Sequence, residues 1–331
     1  MSKKRVVETV SIAKRIKIEP TDTKPTRFIK YLDIEHPNVF AKAESYHSDD
    51  SSQKVPSNWV DLYNKVVTMR AKFMAPVDTQ GCERMPESIS PGISRLNPKV
   101  YRFQLLISLM LSSQTKDEVN YDAMQKLQTA MLEKGNKDGL CIEAISTCSE
   151  SDIDKLIAKV GFHNRKANYI KRTCEILLSS HNGDIPTTID EITALPGIGP
   201  KMGYLLLQAG WGINSGIGVD VHLHRLAQMW GWVSKKATTP EKARLELEEW
   251  LPKQYWKDVN PLMVGFGQVV CQARVKNCDV CSLNTMCPGK DRKLAGKLVT
   301  KERLLKLKSQ RADISALYEQ PDQIKPEPLA S

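Results

Sequence analysis

Four cysteines lie within seventeen residues near the carboxyl end of the chain, with the spacing C-x6-C-x2-C-x5-C. They are Cys271, Cys278, Cys281 and Cys287. Thiolates this close together bind zinc or an iron–sulfur cluster. Structural zinc sites usually contain two C-x2-C pairs, whereas this stretch has one, and Pro288 follows the last cysteine as in bacterial ferredoxins. The spacing therefore favours a [4Fe–4S] cluster over zinc.

A second group of residues that could bind a ligand or react lies in the stretch ALPGIGPKMGYLL, residues 194–206. Gly197 and Gly199 allow a tight turn, and Pro200 suits the first position of a following helix. The free N–H groups at a helix start and the positive end of its dipole attract a phosphate without reading base sequence. We predict a helix–hairpin–helix that binds a nucleic-acid backbone. The alternative is a glycine-rich corner with no ligand.

Lys201 stands at the amino end of that second helix, where the dipole opposes a cation. Repulsion and partial burial favour the neutral amine, which is a nucleophile able to form a Schiff base. Nineteen residues later, GVDVHLHRL contains Asp220 between two valines. Such a carboxylate can accept a proton and stabilise a cationic sugar. The alternatives are a phosphate-binding lysine and an aspartate that only caps a helix.

The elements that must position these groups are helices. From Asn58 onward apolar residues recur at steps of three and four, as in Trp59, Leu62, Tyr63 and Val66, and no strand alternation is evident. Short helices joined by Gly, Pro, Asn and Asp predict an all-α fold. Most of the apolar residues in these stripes are expected to form the core.

The composition is that of a soluble protein with an anionic partner. The chain has 331 residues, a formal net charge of +10 and a sequence pI of about 9.1, which favours nucleic acid as the partner. No apolar run is long enough to span a bilayer, and the charged amino end argues against a secretory signal. Because a reducing compartment is then expected, crowded cysteines indicate metal rather than disulfides.

Both ends of the chain are polar. Residues 1–55 are predicted to be a disordered basic tail, in which SKKR (residues 2–5) and AKRIK (residues 13–17) are candidate nuclear import signals. Residues 291–331 are predicted to be basic and largely disordered, although residues 297–308 could form an amphipathic helix.

The motifs LPGIGPK, GVDVHLHRL and C-x6-C-x2-C-x5-C, in that order, resemble those of endonuclease III. This family comprises helix–hairpin–helix DNA glycosylases and abasic-site lyases of base excision repair, and the resemblance covers residues 58–290. It implies a monomer with two lobes and a [4Fe–4S] cofactor. Residues 95–213 would form six helices ending in the hairpin, and residues 56–94 and 214–290 would form the cluster lobe. DNA would lie between the lobes, with the damaged nucleotide flipped out.

The resemblance also implies roles for single residues. Lys201 would be the nucleophile and Asp220 its carboxylate partner. In LMLSSQTKD, Gln114 would fill the gap left by the flipped base, and in GFHNRKA, Phe162 and His163 would contact the opposite strand. Without that resemblance, Gln114 could simply cap a helix and Phe162 could simply be core.

The remaining DNA contacts are predicted from charge and backbone. Arg274 and Lys276 lie inside the first cysteine loop, where we expect them to be displayed to solvent and to contact phosphates, as Gly197 and Gly199 would through the hairpin.

The implied activity is removal of oxidised pyrimidines, with formamidopyrimidines as further candidates, followed by β-elimination through a Schiff base. Nucleus, and also mitochondrion, are the expected locations. An adenine-mismatch glycosylase of the same superfamily is an alternative, but its pattern usually lacks the hairpin lysine. The second alternative is a non-enzymatic DNA-binding protein that contains zinc.

Overall fold

The computed structural model describes residues 40–44 and 55–318, and within them the predicted all-α architecture is confirmed. The only β pairing in these residues is an isolated bridge between Cys271 and Lys276. None of the helices in these ranges is both long and apolar enough to cross a membrane. The helices are α1 (Trp59–Arg70), α2 (Pro76–Gln80), α3 (Met85–Ile89), α4 (Ile93–Leu96), α5 (Pro98–Ser112), α6 (Asp117–Glu133), α7 (Ile142–Ser146), α8 (Glu150–Leu156), α9 (His163–Ser180), α10 (Ile189–Thr193), α11 (Pro200–Leu206), α12 (Val221–Trp230), α13 (Pro240–Trp250), α14 (Trp256–Val269) and α15 (Lys301–Lys308).

Two hydrophobic cores divide the helices. The first, which we call the cysteine lobe, takes its buried residues from 43–75 and 217–317. Its centre is a group of aromatic rings in which Trp59 lies 5.6 Å from Trp250 and 5.7 Å from Tyr255, centroid to centroid. Edge-on contacts of this kind add to the free energy gained by burial.

The second core, which we call the helical lobe, takes its buried residues from 85–207. Met85 and Ile93 pack into it, so the chain crosses between the cores before residue 85 rather than near 94. Residues 95–213 contain seven helices where the resemblance implied six, because α7 and α10 are separate turns of five residues each. A π-helical turn, Leu207–Trp211, extends α11 at the end of this lobe.

Parts of both tails are packed rather than exposed. Ala43 is buried, and its backbone N–H and carbonyl pair with the side-chain amide of Asn64 at 2.7 and 2.8 Å. At the other end Leu307 and Ile314 are fully buried in the cysteine lobe. The helix considered at 297–308 is present as α15, and the expectation of a largely disordered carboxyl tail fails for the residues from there up to Tyr318. The candidate import signals lie outside the described residues.

Candidate active site and DNA-binding surface

The helix–hairpin–helix consists of α10, the turn around Gly197 and α11. Gly197 has φ +77°, and a Cβ at this position would lie 2.4 Å from the ring of Tyr169. Only glycine satisfies both conditions without strain. Gly199 differs, because its backbone is extended (φ −106°, ψ 172°) and a Cβ would meet nothing within 4 Å. The protein itself therefore does not explain glycine at 199, whereas close approach of a ligand would.

The hairpin offers unpaired donors. Within the described residues, the backbone N–H groups of Gly197, Gly199 and Lys201 donate to no protein acceptor. Pro200 carries no N–H at all. A phosphate oxygen at this turn would therefore find three free donors among the five positions 197–201 of the turn and helix start.

Lys201 occupies the second position of α11 and is half-buried. No described residue forms a hydrogen bond or ion pair with its side chain. Its positive charge is nonetheless close enough to influence His222, Asp117 and Cys82. An amine without a protein partner, facing acidic and neutral groups, is free to react with a bound molecule.

Asp220 is the N-cap of α12. Its Oδ1 accepts a hydrogen bond from the N–H of Leu223 at 2.8 Å, and the residue is buried. The second carboxylate oxygen accepts none from a described residue, so one oxygen fixes the helix and the other remains available. A Cβ on Gly218, two residues before Asp220, would lie 3.3 Å from the backbone carbonyl oxygen of Lys201, so the two segments pack together, and the charges of Lys201 and Asp220 both affect the pKa of His222.

Three further polar residues join this neighbourhood, although sequence reasoning did not select them. Gln268 of α14 donates to Asp117 Oδ2 at 2.8 Å and accepts from the N–H of Val77 at 3.1 Å, so it links the two lobes. Burial raises the pKa of Asp117, and the Gln268 amide opposes that rise. His222 follows Asp220 by two residues.

The imidazole of His222 is also perturbed. Burial lowers the pKa of His222. The charge of Asp220 opposes this decrease, and the positive charges of Arg225, Arg311 and Lys201 add to it. His222 Nδ1 is buried without a hydrogen-bond partner in the described structure. The one signal in the sequence was its position two residues after the candidate carboxylate Asp220.

The two candidate wedge loops lie side by side. Gln114 has φ +51° and Phe162 has φ +57°, a left-handed conformation that is uncommon outside glycine. Gly161 lies between them, since a Cβ there would be 2.7 Å from the carbonyl oxygen of Gln114, and its N–H donates to Thr115 Oγ1 at 3.2 Å. The side chain of Phe162 is 56% exposed, so it is not core. Gln114 is exposed and caps no helix.

The buried side chain of Lys166 supports the loops of Gln114 and Phe162. The residue is 5% exposed, and its Nζ donates to the carbonyls of Leu111 and Ser113, both at 2.7 Å, and to Thr115 Oγ1 at 3.3 Å. Burial lowers the pKa of Lys166 to about 8, and the three acceptors compensate the charge that remains. The last carbonyls of α5 are thus satisfied by a side chain from α9.

The third predicted wedge residue is differently engaged. His163 Nδ1 lies 2.6 Å from Asp154 Oδ1 on α8, and the ring is about one third exposed. This contact ties the imidazole to the protein, so that Phe162 is the freer of the two side chains.

The four cysteines line one cavity with Met229, Trp230 and Phe266. None of the eight cysteines forms a disulfide. Arg225 Nη1 lies 3.7 Å from the sulfur of Cys271, and the N–H of Asp291 donates to that of Cys278 at 3.3 Å. Burial raises the pKa of Cys271, and that of Cys281 to about 12. Buried thiolates here would therefore need a cationic group between them.

The arrangement of these thiols bears on the kind of group. Within the described residues, no three or more Cys, His, Asp or Glu side chains are arranged to hold a single metal ion. A zinc ion requires four donors at about 2.3 Å from one point. In a [4Fe–4S] cluster each sulfur binds a different iron, so the thiols stand further apart. The four cysteines that line this cavity supply the thiolate donors that either group would use.

The two basic residues of the cysteine loop have different environments. Arg274 is exposed. Lys276 is half-buried, and its Nζ donates to the carbonyl of Gly289 at 2.5 Å. The expectation that both are displayed to solvent therefore holds for Arg274, whereas Lys276 is engaged in closing the loop.

Comparisons with known proteins fit this geometry. Residues 107–253 match the HhH-GPD superfamily of base excision DNA repair proteins. The chain is 43% identical over 255 residues to the endonuclease III homolog of Schizosaccharomyces pombe, covering 76% of this chain and 68% of the relative. It is 43% identical over 233 residues to the endonuclease III-like protein 1 of Mus musculus, covering 70% and 73%.

A solved structure supports the fold. The trapped covalent intermediate of endonuclease III with DNA superposes with a TM-score of 0.50 at 23% identity, covering 65% of this chain and 96% of that one. The fold, the sequence matches and the superfamily assignment agree. The chain belongs to the endonuclease III family and is a DNA glycosylase of base excision repair.

Proposed function

We propose that this protein is a bifunctional N-glycosylase and abasic-site lyase that removes oxidised pyrimidines from duplex DNA, with formamidopyrimidines as further substrates. The observation that carries the proposal is Lys201, a half-buried amine without a described partner, whose charge affects His222 and Asp117 and whose backbone packs against the segment that leads to Asp220. A lysine is required only where the enzyme itself forms a bond to the sugar, because a water nucleophile gives no Schiff base.

In the first step Lys201 Nζ attacks C1′ of the everted nucleotide. The new N–C1′ bond forms as the glycosidic bond breaks, and the damaged base leaves with the bonding electrons and takes up a proton. The available oxygen of Asp220 stabilises the positive charge that develops on the sugar and accepts a proton from the attacking nitrogen. Its other oxygen stays bound to α12, which keeps the carboxylate in position.

In the second step the sugar opens to an iminium joined to Lys201. The iminium acidifies C2′, a base removes that proton, and the bond between C3′ and its oxygen breaks with departure of the 3′ phosphate. Water then releases the lysine. The solved relative was trapped as a covalent intermediate with DNA, which is consistent with a bond to the protein at this stage.

An incision assay tests this function. Duplexes carrying thymine glycol, another oxidised pyrimidine, a formamidopyrimidine or an abasic site are incubated with the full chain, with and without borohydride. The proposal requires a nick 3′ to the lesion and a reduced protein–DNA adduct. Base release without a nick or an adduct would assign a hydrolytic, monofunctional glycosylase instead.

The same proposal assigns the groove between the lobes to DNA, bound by a monomer. Gln114 would enter the space of the everted base and Phe162 would wedge the opposite strand, with His163 beside it. Arg274 would contact phosphates, and the hairpin would hold a phosphate through its free N–H groups.

The hairpin glycines provide a matched test of this contact. In Gly199→Ala the added methyl meets nothing in the protein, so we expect the free energy of unfolding to change by less than about 0.5 kcal/mol. The methyl would meet an approaching phosphate, and we expect DNA affinity to fall about tenfold. In Gly197→Ala the positive φ and the ring of Tyr169 should instead lower stability by about 1–2 kcal/mol or more.

Fluorescence anisotropy at fixed salt and thermal unfolding distinguish the two glycine variants. If Gly199→Ala binds abasic duplex as tightly as the unaltered chain, the backbone of the hairpin is not a phosphate site.

We further propose that Cys271, Cys278, Cys281 and Cys287 hold a [4Fe–4S] cluster. Its contribution would be structural, since glycosidic cleavage and elimination involve no net electron transfer. The chain's own residues prepare the site: Arg225 and the N–H of Asp291 donate to sulfur, and Met229 and Phe266 exclude water.

Cys278→Ser tests the metal assignment. We expect the loss of visible absorption and of iron, with a marked fall in thermal stability, because the loop folds around the cluster. Cys174→Ala is the control, since that thiol is buried in the helical lobe and should leave the iron content unchanged. Stoichiometric zinc without iron in the unaltered chain would contradict the proposal.

Location remains a prediction. We propose the nucleus, and also the mitochondrion, from the basic clusters in residues 2–17. Among relatives, an endonuclease III homolog of Arabidopsis thaliana is chloroplastic, so location varies within the family.

A further inference from the structure

The segment from Lys297 to Tyr318, which we call the carboxyl strap, lies outside the superfamily match at 107–253 and is nevertheless built into the protein. It includes α15 and buries four apolar side chains in the cysteine lobe. They are Leu307, Ala312, Ile314 and Leu317. Leu307 and Ile314 are fully covered, and burial of two such aliphatic side chains holds the segment on the lobe. The strap is therefore a fixed part of the lobe.

Polar contacts fix the strap to the cysteine loop. Arg303 forms a two-point ion pair with Asp279 at 2.7 and 2.9 Å and donates to Asn277 at 2.8 Å. Asn277 in turn donates to Gln310 at 3.0 Å. Since Gln310 is held and Ala312 is buried, the backbone on both sides of Arg311 is fixed.

Arg311 is held by this support against the helical lobe. Its Nη2 lies 3.4 Å from Glu118 Oε1, in the first turn of α6 in the helical lobe. Its charge acts on Asp117 and His222, which are two of the groups that Lys201 also influences. The strap thus adds a second cation to the surroundings of the proposed nucleophile.

The contact with Glu118 does not account for Arg311. The two side chains are 38% and 50% exposed, and exposed ion pairs of this kind contribute little to stability. A phosphate offers the guanidinium a stronger two-point contact than a single carboxylate oxygen at 3.4 Å. The arginine is therefore held in place and weakly engaged, as expected for a residue that exchanges partners when a ligand binds.

We propose that Arg311 binds a DNA backbone phosphate next to the everted nucleotide, so that the carboxyl strap forms part of the DNA-binding surface. The proposal rests on the proposed function in one respect, namely that the cleft beside Lys201 receives DNA. Duplex binding then displaces Glu118 from the guanidinium.

The test compares Arg311→Gln, Glu118→Gln and a control, Lys137→Gln. Lys137 is exposed and follows the far end of α6, whose last residue, Glu133, is about 22 Å from Glu118 at 1.5 Å per residue. Affinity of the full chain for an abasic-analogue duplex is measured between about 50 and 200 mM salt.

We expect Arg311→Gln to weaken binding about fivefold to twentyfold at low salt and to reduce the slope of log K against log salt by about one. Glu118→Gln should bind at least as tightly as the unaltered chain, because it frees the guanidinium. Lys137→Gln should leave affinity and slope unchanged, and thermal unfolding shows whether Arg311→Gln remains folded.

If Arg311 only ties the lobes together, Arg311→Gln and Glu118→Gln would lower stability equally and leave the salt slope unchanged, which would overturn the proposal. The two proposals can fail separately. Absence of a borohydride adduct with the unaltered chain refutes the lyase but not the phosphate contact. An unchanged slope in Arg311→Gln, in a chain that forms the adduct, refutes the phosphate contact alone.

Discussion

Replacing Lys201 by glutamine is expected to abolish the borohydride-trapped adduct and to lower strand cleavage at abasic sites by about a thousandfold or more. The amide nitrogen of glutamine is not a nucleophile, so neither the bond to C1′ nor the iminium can form. The side chain of Lys201 forms no hydrogen bond with a described residue, so the free energy of unfolding should change by less than about 0.5 kcal/mol.

Lys236→Gln is the charge-matched control, because Lys236 is exposed in the loop before α13. Single-turnover incision at saturating DNA separates the two roles considered for Lys201. A lysine that serves only as a phosphate-binding cation would give a variant with weak binding whose rate recovers at high DNA concentration. Recovery of this kind, or an adduct at unaltered yield, would remove Lys201 from the chemistry.

Asp220→Asn is expected to lower the rate of base release by about a hundredfold to a thousandfold while the protein remains as stable as before. The asparagine oxygen can still accept from the N–H of Leu223, so the cap of α12 is kept, whereas the negative charge that stabilises the sugar cation is lost. Asp220→Ala removes both, and should cost about 1 kcal/mol of stability in addition.

The pair of Asp220 variants distinguishes catalysis from capping. Single-turnover glycosylase rates and thermal unfolding are measured for both. Full activity in Asp220→Asn, together with a loss in Asp220→Ala that follows its lower stability, would show that the carboxylate is only a helix cap.

Much of this organisation could be predicted from local patterns. Helices follow from apolar residues at three- and four-residue steps, and the hairpin follows from two glycines, a proline and a helix start. Gly197 and Pro200 have the backbone roles that their residue types require. These inferences need only residues that are close in sequence, and for that reason they can be made without a structure.

The parts that could not be predicted depend on contacts between distant segments. Gln268 and Asp117 are 151 residues apart, and neither belongs to a motif that suggests the other. Residues 291–331 were expected to be largely disordered, apart from a candidate helix at 297–308, but Leu307 and Ile314 pack on a surface that exists only once the cysteine lobe has folded. The spacing of apolar residues predicts which helix face will be buried, but not which lobe that face will pack against.

Lys166 has a consequence for how DNA is engaged. One buried cation satisfies carbonyls and a hydroxyl around Gln114, and Thr115 in turn accepts from Gly161, so the two loops share a single anchor. Neither loop can shift without breaking hydrogen bonds that the other needs. Under the proposed roles, we expect the loops of Gln114 and Phe162 to contact the damaged strand and its complement together, in one concerted step, rather than to bind the two strands independently.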